Sequence, residues 1–205
     1  MKSIYSHIPN SIPSLFEAAA STNPVPGGGS VVCTCANLGV ALLLKAIRIT
    51  LKSDSIEKLV VADLSFQENA ENLLSFAQRD ANVFFQYISA LNLPKQTTDE
   101  QVNRVKHIEK AAIDAIALGV LMAETGNDIL KTCIEIKPLI KRTIVADIHA
   151  GAYLVSAMVS VAIENARANL LSIKGNLSYH ELDSNLLNIN DIHMKLISDL
   201  LAFER

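Results

Sequence analysis

The segment from Ser30 to Leu51 most constrains what this chain can fold into. It reads SVVCTCANLGVALLLKAIRITL and is apolar on nearly every side of an α-helix. Such a helix is buried at the centre of a domain or crosses a membrane. Elsewhere apolar residues recur at spacings of three and four, and strand signals are nearly absent. We therefore predict an all-α, single-domain bundle of about six or seven helices over residues 1–205, with this helix at its centre.

Charge and apolar run lengths exclude several classes of protein. The 205 residues include 18 basic and 21 acidic side chains, a net charge of −3, which argues against a nucleic-acid binder. Val31–Leu44 is too short an apolar run to span a bilayer, and Ile144–Ile163 is interrupted by Asp147 and His149. The N-terminus lacks a secretory signal pattern. We expect a cytoplasmic protein that does not contact membranes.

Cysteine and histidine give no sign of a metal site. Cys33 and Cys35 lie in an apolar run, where small buried side chains are expected, and the three cysteines have no disulfide-framework spacing. The five histidines show no ligand-spaced cluster, so we expect no zinc.

Capping and breaker residues predict the helix boundaries. We take Ser30 as the N-cap of the apolar helix, and Asp54-x-x-Glu57 and Thr98-x-x-Gln101 as capping boxes. A stop and restart is predicted at residues 125–128 (TGND). The predicted helices cover 12–20, 30–51, about 54–92, 98 to about 124, a short segment ending near Pro138, about 142–174 and about 179–203.

The glycine-rich segment PVPGGGS, residues 24–30, precedes the apolar helix. Glycines let a ligand or another backbone approach closely, and the first N–H groups of a helix are free donors at a positive dipole end. An anion or polar-ligand cradle is one interpretation. A tight turn in which glycine permits close helix packing is the alternative. The segment lacks the GK[ST] of a phosphate-binding P-loop.

The longer motif STNPVPGGGS, residues 21–30, resembles the cyclodeaminase/cyclohydrolase family. That family comprises the formiminotetrahydrofolate cyclodeaminase domain and stand-alone relatives that include methenyltetrahydrofolate cyclohydrolases. The resemblance covers roughly residues 10–175, and its most specific part is the glycine motif. Other similar segments are Asp80-Ala81-x-x-Phe84, ALNLPK at 90–95, Thr98-Asp99-Glu100 with Arg104, Ala146-Asp147, and Asn165 with Asn169.

The resemblance implies a reduced folate carrying a one-carbon unit as substrate. Either water opens a methenyl bridge or N10 displaces ammonia from a formimino carbon, and both routes pass through a tetrahedral carbon between two nitrogens. Both need a carboxylate, and neither needs a metal or a bound prosthetic group. Because 205 residues hold no fused transferase domain, the cyclohydrolase is slightly favoured. The resemblance and the excess of apolar surface also imply a homodimer.

Asp147 and Lys95 are the predicted catalytic residues. Asp147 lies in an apolar helical segment, where a carboxylate is costly unless it is paired; the alternative is a helix-start or ion-pair residue near Lys141 and Arg142. Lys95 could instead be a solvated surface lysine. The predicted substrate-binding residues are Pro26, Gly27, Gly28, Gly29, Ser30, Asp80, Arg104, Asn165 and Asn169.

Several of these assignments have plain structural alternatives. Asp80 could be a surface carboxylate, Arg104 could pair with Glu100, and the two asparagines could satisfy buried backbone or lie at a subunit contact. The sequence also departs from the family, since Lys141-Arg142 stands where a Gly-Asn turn is usual. A folate or anion binder without turnover, or a purely structural helical interaction protein, are therefore the alternative functions.

Overall fold

The computed structural model describes residues 11–202, which form helices and connecting turns with no strand among them. The prediction of an all-α bundle is confirmed, with six α-helices in the described part. The single-domain assignment to residues 1–205 stays a prediction, and the predicted helix end at Phe203 lies outside the described residues. The helices are α1 (Ile12–Ala20), α2 (Gly28–Leu51), α3 (Glu57–Leu91), α4 (Thr98–Ile136), α5 (Val145–Leu170) and α6 (Tyr179–Leu201), with 3₁₀ turns at Lys137–Leu139 and Leu171–Ile173.

Helix α2 lies at the centre of the bundle, packed against α3 on one side and α5 on another. Glycines set how closely α2 and α5 approach. A Cβ added to Gly39 would lie 2.8 Å from the carbonyl oxygen of Gly151, and a Cβ added to Gly151 would lie 2.6 Å from the carbonyl oxygen of Gly39. The two backbones are therefore in direct contact, which only residues without a side chain allow.

Helix α4 runs without interruption through residues 125–128, so the predicted stop and restart there is wrong. Gly126 is buried against α5, where an added Cβ would collide with Val159. The side-chain amide of Asn127 donates to the carbonyl of Ile189 (3.2 Å), and its oxygen lies 3.2 Å from Nδ1 of His193. Glycine and asparagine serve helix packing at this position instead of a turn.

The capping predictions were wrong in detail. Helix α4 is opened by a capping box between Thr97 and Glu100, one residue before the predicted pair. Helix α2 begins at Gly28 with Gly27 as its N-cap. Ser30 is not the cap because its hydroxyl contacts α3 instead.

The starts of α3 and α5 also differ from the predictions. The N-cap of α3 is Ile56, with no side-chain cap, and the carboxylate of Asp54 accepts a hydrogen bond from the Ser53 hydroxyl (2.7 Å). Helix α5 begins at Val145, a few residues after the predicted start at Arg142.

Two helical segments, Gly28–Leu51 and Val145–Ile173, are long and apolar enough to cross a membrane by length and composition. The prediction that the first apolar run is too short was wrong because the helix extends beyond Val31–Leu44 at both ends. Buried positions make up 50% and 44% of their most apolar windows. A core helix passes the same test, and α2 and α5 pack on each other in this bundle. The absence of membrane contact and the cytoplasmic location stay predictions.

We expect Gly39→Ala to lower the free energy of unfolding by roughly 1–3 kcal/mol, the usual cost of overpacking a core. Alanine favours a helix over glycine by only about 1 kcal/mol, and the group in the way is a backbone carbonyl that cannot rotate aside. Urea unfolding followed by circular dichroism measures the difference. Gly175→Ala is the control, since nothing lies within 4 Å of its added Cβ. Equal stability of Gly39→Ala and the parent chain would contradict the close contact.

Candidate active site

A cavity of about 290 Å³ opens where the first turn of α2 faces α3, α4 and α5. We call it the Asp80 cavity, after the one acidic side chain that residues 11–202 contribute to its lining. Six residues predicted from the sequence to bind substrate line it, although they come from three separate parts of the chain. These are Gly27, Gly28, Gly29, Asp80, Asn165 and Asn169.

The carboxylate of Asp80, on α3, lies directly against the first turn of α2. A Cβ added to Gly29 would lie 2.6 Å from Cγ of Asp80. The buried hydroxyl of Ser30 lies 2.9 Å from Oδ2 of Asp80 and 2.9 Å from the carbonyl oxygen of Ala77. Glycine is required at position 29 because any side chain there would displace the carboxylate.

This contact changes the interpretation of the glycine motif. The positive end of the α2 dipole and its free N–H groups face a carboxylate supplied by the protein itself. Asp80 thus takes the position that the sequence analysis gave to a bound anion. The cavity presents negative charge, so its electrostatics favour a cationic ligand group.

Burial raises the pKa of Asp80 above its usual value of 3.8, and hydrogen bonds from the side chain and backbone of Ser30 partly oppose that rise. A carboxyl group whose pKa is moved towards neutrality is suited to exchanging protons. Burial, followed by the charge of Asp80, raises the pKa of the Cys33 thiol to about 12. Cys33 is therefore a protonated thiol and does not act as a nucleophile.

The walls of the Asp80 cavity are largely apolar. Phe84 and Tyr87 come from α3, Met122 comes from α4, and the asparagines come from α5. The side-chain amide of Asn169 donates to the backbone carbonyl of Asn165 (2.8 Å). Aromatic and methionine side chains beside a few polar groups are typical of pockets that bind flat ring systems.

Sequence reasoning did not assign a role in the site to Phe84, Tyr87 or Met122. The signal was available on α3, where Asp80, Val83, Phe84 and Tyr87 are spaced i, i+3, i+4 and i+7 and share one helix face. No such pattern identified Met122, which lies in an apolar stretch that resembles any other core segment.

Asp147, the predicted catalytic carboxylate, does not line the cavity. It forms an ion pair with Lys45 of α2, with Nζ and Oδ2 2.7 Å apart, and 23% of its side chain is exposed. The ion-pair alternative was correct in kind, although the partner is Lys45 and not Lys141 or Arg142. A catalytic role for Asp147 stays a prediction, now without support from the cavity.

Lys95 and Arg104 also do not line the Asp80 cavity. Lys95 is exposed in the turn between α3 and α4. The guanidinium of Arg104 donates twice to the carbonyl of Leu91 at the end of α3 (3.2 and 3.1 Å). Glu100 accepts hydrogen bonds from the backbone N–H groups of Gln96 and Thr97 (2.7 and 2.9 Å), as the capping residue of α4.

The remaining predicted residues are Pro26 and Ser30. Pro26 is buried in the segment before α2, and Ser30 lies behind the cavity wall as the hydrogen-bond partner of Asp80. Among residues 11–202, no three His, Cys, Asp or Glu side chains are grouped so that they could hold a metal ion.

A second cavity of about 390 Å³ lies between α3 and α4 near the turn that joins them. It is more open to solvent, and its charged residues Lys110 and Asp114 pair with each other (2.8 Å). Its carboxylate, Asp114, is 41% exposed and already paired, so the Asp80 cavity is the stronger candidate for chemistry.

Comparison with known proteins agrees with the motif resemblance. The family described as formiminotransferase-cyclodeaminase matches residues 11–187. Formimidoyltransferase-cyclodeaminase of Gallus gallus is 27% identical over 162 residues, which are 76% of this chain and 30% of the relative. The Rattus norvegicus protein of the same name is 25% identical over 166 residues, 78% of this chain and 30% of that protein. The chain thus spans about a third of the length of these relatives.

A solved structure shares the fold. The crystal structure of formiminotetrahydrofolate cyclodeaminase from Thermotoga maritima superposes with a TM-score of 0.75 and covers 93% of each chain, at 18% sequence identity. Six helices in this arrangement, the glycine motif at the start of the central helix, and a family match over most of the sequence lead to one conclusion. This chain belongs to the formiminotransferase-cyclodeaminase family.

Proposed function

We propose that this chain is an enzyme of one-carbon folate metabolism that cyclises formiminotetrahydrofolate to methenyltetrahydrofolate and releases ammonia. The single observation that carries the proposal is the carboxyl group of Asp80, held against the glycines of α2 inside a largely apolar cavity. The names of the relatives supply the reaction class, and the reaction draws on no metal or prosthetic group.

The cavity suits the reactive part of a reduced folate. Its volume of about 290 Å³ is close to the lower end of the roughly 300–1,000 Å³ range of ligand pockets. We expect it to enclose the ring system and to leave the glutamate tail outside. Phe84 and Tyr87 would pack on the rings, and the amides of Asn165 and Asn169 would hydrogen-bond to their edge.

The proposed reaction needs one proton to move between two nitrogens. The protonated formimino group is an amidinium, and its positive charge is attracted to ionised Asp80. N10 attacks the formimino carbon and forms the new C–N bond, and its proton passes to Asp80. Asp80 then returns the proton to the departing NH₂ group, the old C–N bond breaks, and ammonia leaves the methenyl cation. Atoms and charge balance without another reactant.

The surroundings of Asp80 suit both of its proposed steps, which are proton uptake from N10 and proton return to the leaving NH₂ group. Burial favours the protonated carboxyl, whereas a bound cation, the Ser30 hydrogen bonds and the α2 dipole favour the carboxylate. A group that must accept and then donate a proton needs support for both of its forms.

The cyclohydrolase reaction favoured by the sequence analysis is the second candidate. It uses the same cationic one-carbon bridge, and Asn165 on the cavity wall is exposed, so that water can reach the site. Neither Lys141 nor Arg142, which stand in place of the family's Gly-Asn turn, lines the Asp80 cavity. The backbone N–H of Lys141 donates to Thr50 at the far end of α2 (3.2 Å).

The first prediction of this proposal concerns Asp80→Asn. We expect the substitution to lower kcat by about 10²–10⁴-fold, the usual contribution of a proton-transferring group, and to leave the fold intact. The measurement is the absorbance of methenyltetrahydrofolate, which rises with formiminotetrahydrofolate as substrate and falls in the hydrolytic assay.

Asp63→Asn is the matched control for that experiment. Asp63 is also a carboxylate on α3 that contacts α2, through Arg48 Nε at 2.7 Å, and it does not line the Asp80 cavity. Asp147→Asn, measured in the same assay, tests the prediction from sequence that Asp147 is catalytic. Loss of activity in Asp147→Asn with full activity in Asp80→Asn would overturn the assignment. Folate binding without turnover in the parent chain would select the non-catalytic binder.

The second prediction is a pH dependence of stability. Because the pKa of Asp80 is raised in the folded protein, the folded state binds this proton more tightly than the unfolded state. Its contribution to the free energy of unfolding is present below about pH 4 and is lost as pH rises through the folded pKa. The stability of the parent chain relative to Asp80→Asn should therefore fall from pH 4 towards pH 7. Urea unfolding at intervals of pH measures it, and a flat or rising difference would contradict the burial of this carboxyl.

The homodimer predicted from the sequence is also part of the proposal. Helix α1 buries none of its residues, and its Ile12 and Phe16 are 72% and 69% exposed. We expect a second copy to cover this apolar surface. Sedimentation equilibrium should then give a mass of twice 22.2 kDa, and Phe16→Glu should shift the protein towards the monomer. A monomer at all concentrations would contradict the proposal.

A further inference from the structure

The hydroxyl group of Ser30 lies between two acceptors at equal distance. Its Oγ is 2.9 Å from Oδ2 of Asp80 and 2.9 Å from the carbonyl oxygen of Ala77. A hydroxyl has one proton to donate and lone pairs with which to accept. It can donate to only one of the two at a time. Ser30 is 0% exposed, so water does not supply a further partner from solvent.

The two arrangements of this proton match the two protonation states of Asp80. When Asp80 is ionised, the Ser30 hydroxyl donates to Oδ2. When Asp80 is protonated, its own O–H donates to Ser30 Oγ, and the Ser30 proton turns to the carbonyl of Ala77. In either state the hydroxyl is paired, and the exchange needs rotation about one C–O bond with no movement of heavy atoms.

We propose that Ser30 is a positioning residue that stabilises both protonation states of Asp80, so that the carboxyl group takes up and releases a proton without changing its place. The inference rests on the proposed function, in which Asp80 accepts and then returns one proton. The glycines of α2 let the Asp80 carboxylate approach the helix closely, and the Ser30 hydroxyl forms a hydrogen bond with it.

Within residues 11–202, few other titratable side chains lie near Asp80. Tyr87 from α3 lines the same cavity, and Cys33 from α2 is held as a neutral thiol. Arg79, the preceding residue on α3, lies over the ring of Phe76 with its guanidinium carbon 5.7 Å from the ring centre. Helices α4 and α5 line the cavity with Ala, Leu, Gly, Met and Asn side chains, none of which titrates.

The test is the pH dependence of Ser30→Ala. The hydrogen bond from Ser30 to the charged carboxylate is stronger than the one that Ser30 accepts from the neutral carboxyl group. Removing the hydroxyl therefore destabilises the ionised form more, and the acidic limb of the kcat profile should move to higher pH. At neutral pH we expect kcat to fall about tenfold, as for loss of one hydrogen bond to a charged group, with KM little changed. In the Asp80→Asn background the same substitution should cause no further loss, because the two residues act as one unit.

Thr50→Val is the matched control, since Thr50 is an equally buried hydroxyl on α2, far from the cavity, that donates to the carbonyl of Ala46 (2.9 Å). It should leave the pH profile unchanged. If Ser30→Ala does not fold, Ser30→Cys retains a weaker donor and should shift the profile in the same direction by less. An unchanged profile in the folded variants would overturn the inference.

A direct titration separates this inference from the proposed reaction. The carbon-13 shift of the Asp80 carboxyl, followed by NMR against pH, needs no substrate. Ser30→Ala should raise its apparent pKa even if the chain turns over no folate, in which case the reaction alone is wrong. An unchanged carboxyl titration would overturn the role of Ser30 whatever the assays show.

Discussion

The backbone contact between Gly39 of α2 and Gly151 of α5 is the constraint on which the rest of the bundle depends. It holds an apolar helix in the centre, where α3 and α5 can both cover it. Gly119 and Gly126 allow a similarly close approach between α4 and α5, since Cβ atoms added to them would meet Ala162 and Val159. Helices that approach this closely have little freedom to slide. The first turn of α2 is therefore held at a defined place beside α3.

The cavity lies beside the first turn of α2 and is lined by residues of α3, α4 and α5, among them Gly119 and Ala162. Asp80 then supplies negative charge where the helix supplies partial positive charge. Each reduces the cost of burying the other, so the arrangement is compatible with a stable fold and still leaves a carboxyl open to the cavity.

Features that depend on residues close together in sequence could be predicted, and features that depend on distant residues could not. The all-α class, the central helix and most helix extents follow from hydrophobic periodicity, which can be read within a single segment. The helix break predicted near Gly126 was wrong because this glycine makes room for Val159, a residue distant in sequence that packs against it. The same limit explains the choice of Asp147. An apolar sequence environment marked it as unusual, but its partner Lys45 lies on another helix.

The glycine motif and Asp80 also show that contacts between distant residues could not be predicted from the sequence. Both were predicted from the motif resemblance, yet nothing in the sequence indicates that they touch. They are about fifty residues apart and belong to different helices. The packing of the carboxyl group on the helix terminus is seen only in the structure, where α2 and α3 lie side by side.

That contact has a consequence for how such a chain can evolve. A side chain at position 29 would occupy the place of the Asp80 carboxyl group, and loss of that group would remove the reason for a bare backbone there. We therefore expect positions 29 and 80 to change together among related chains, although they lie about fifty residues apart on different helices.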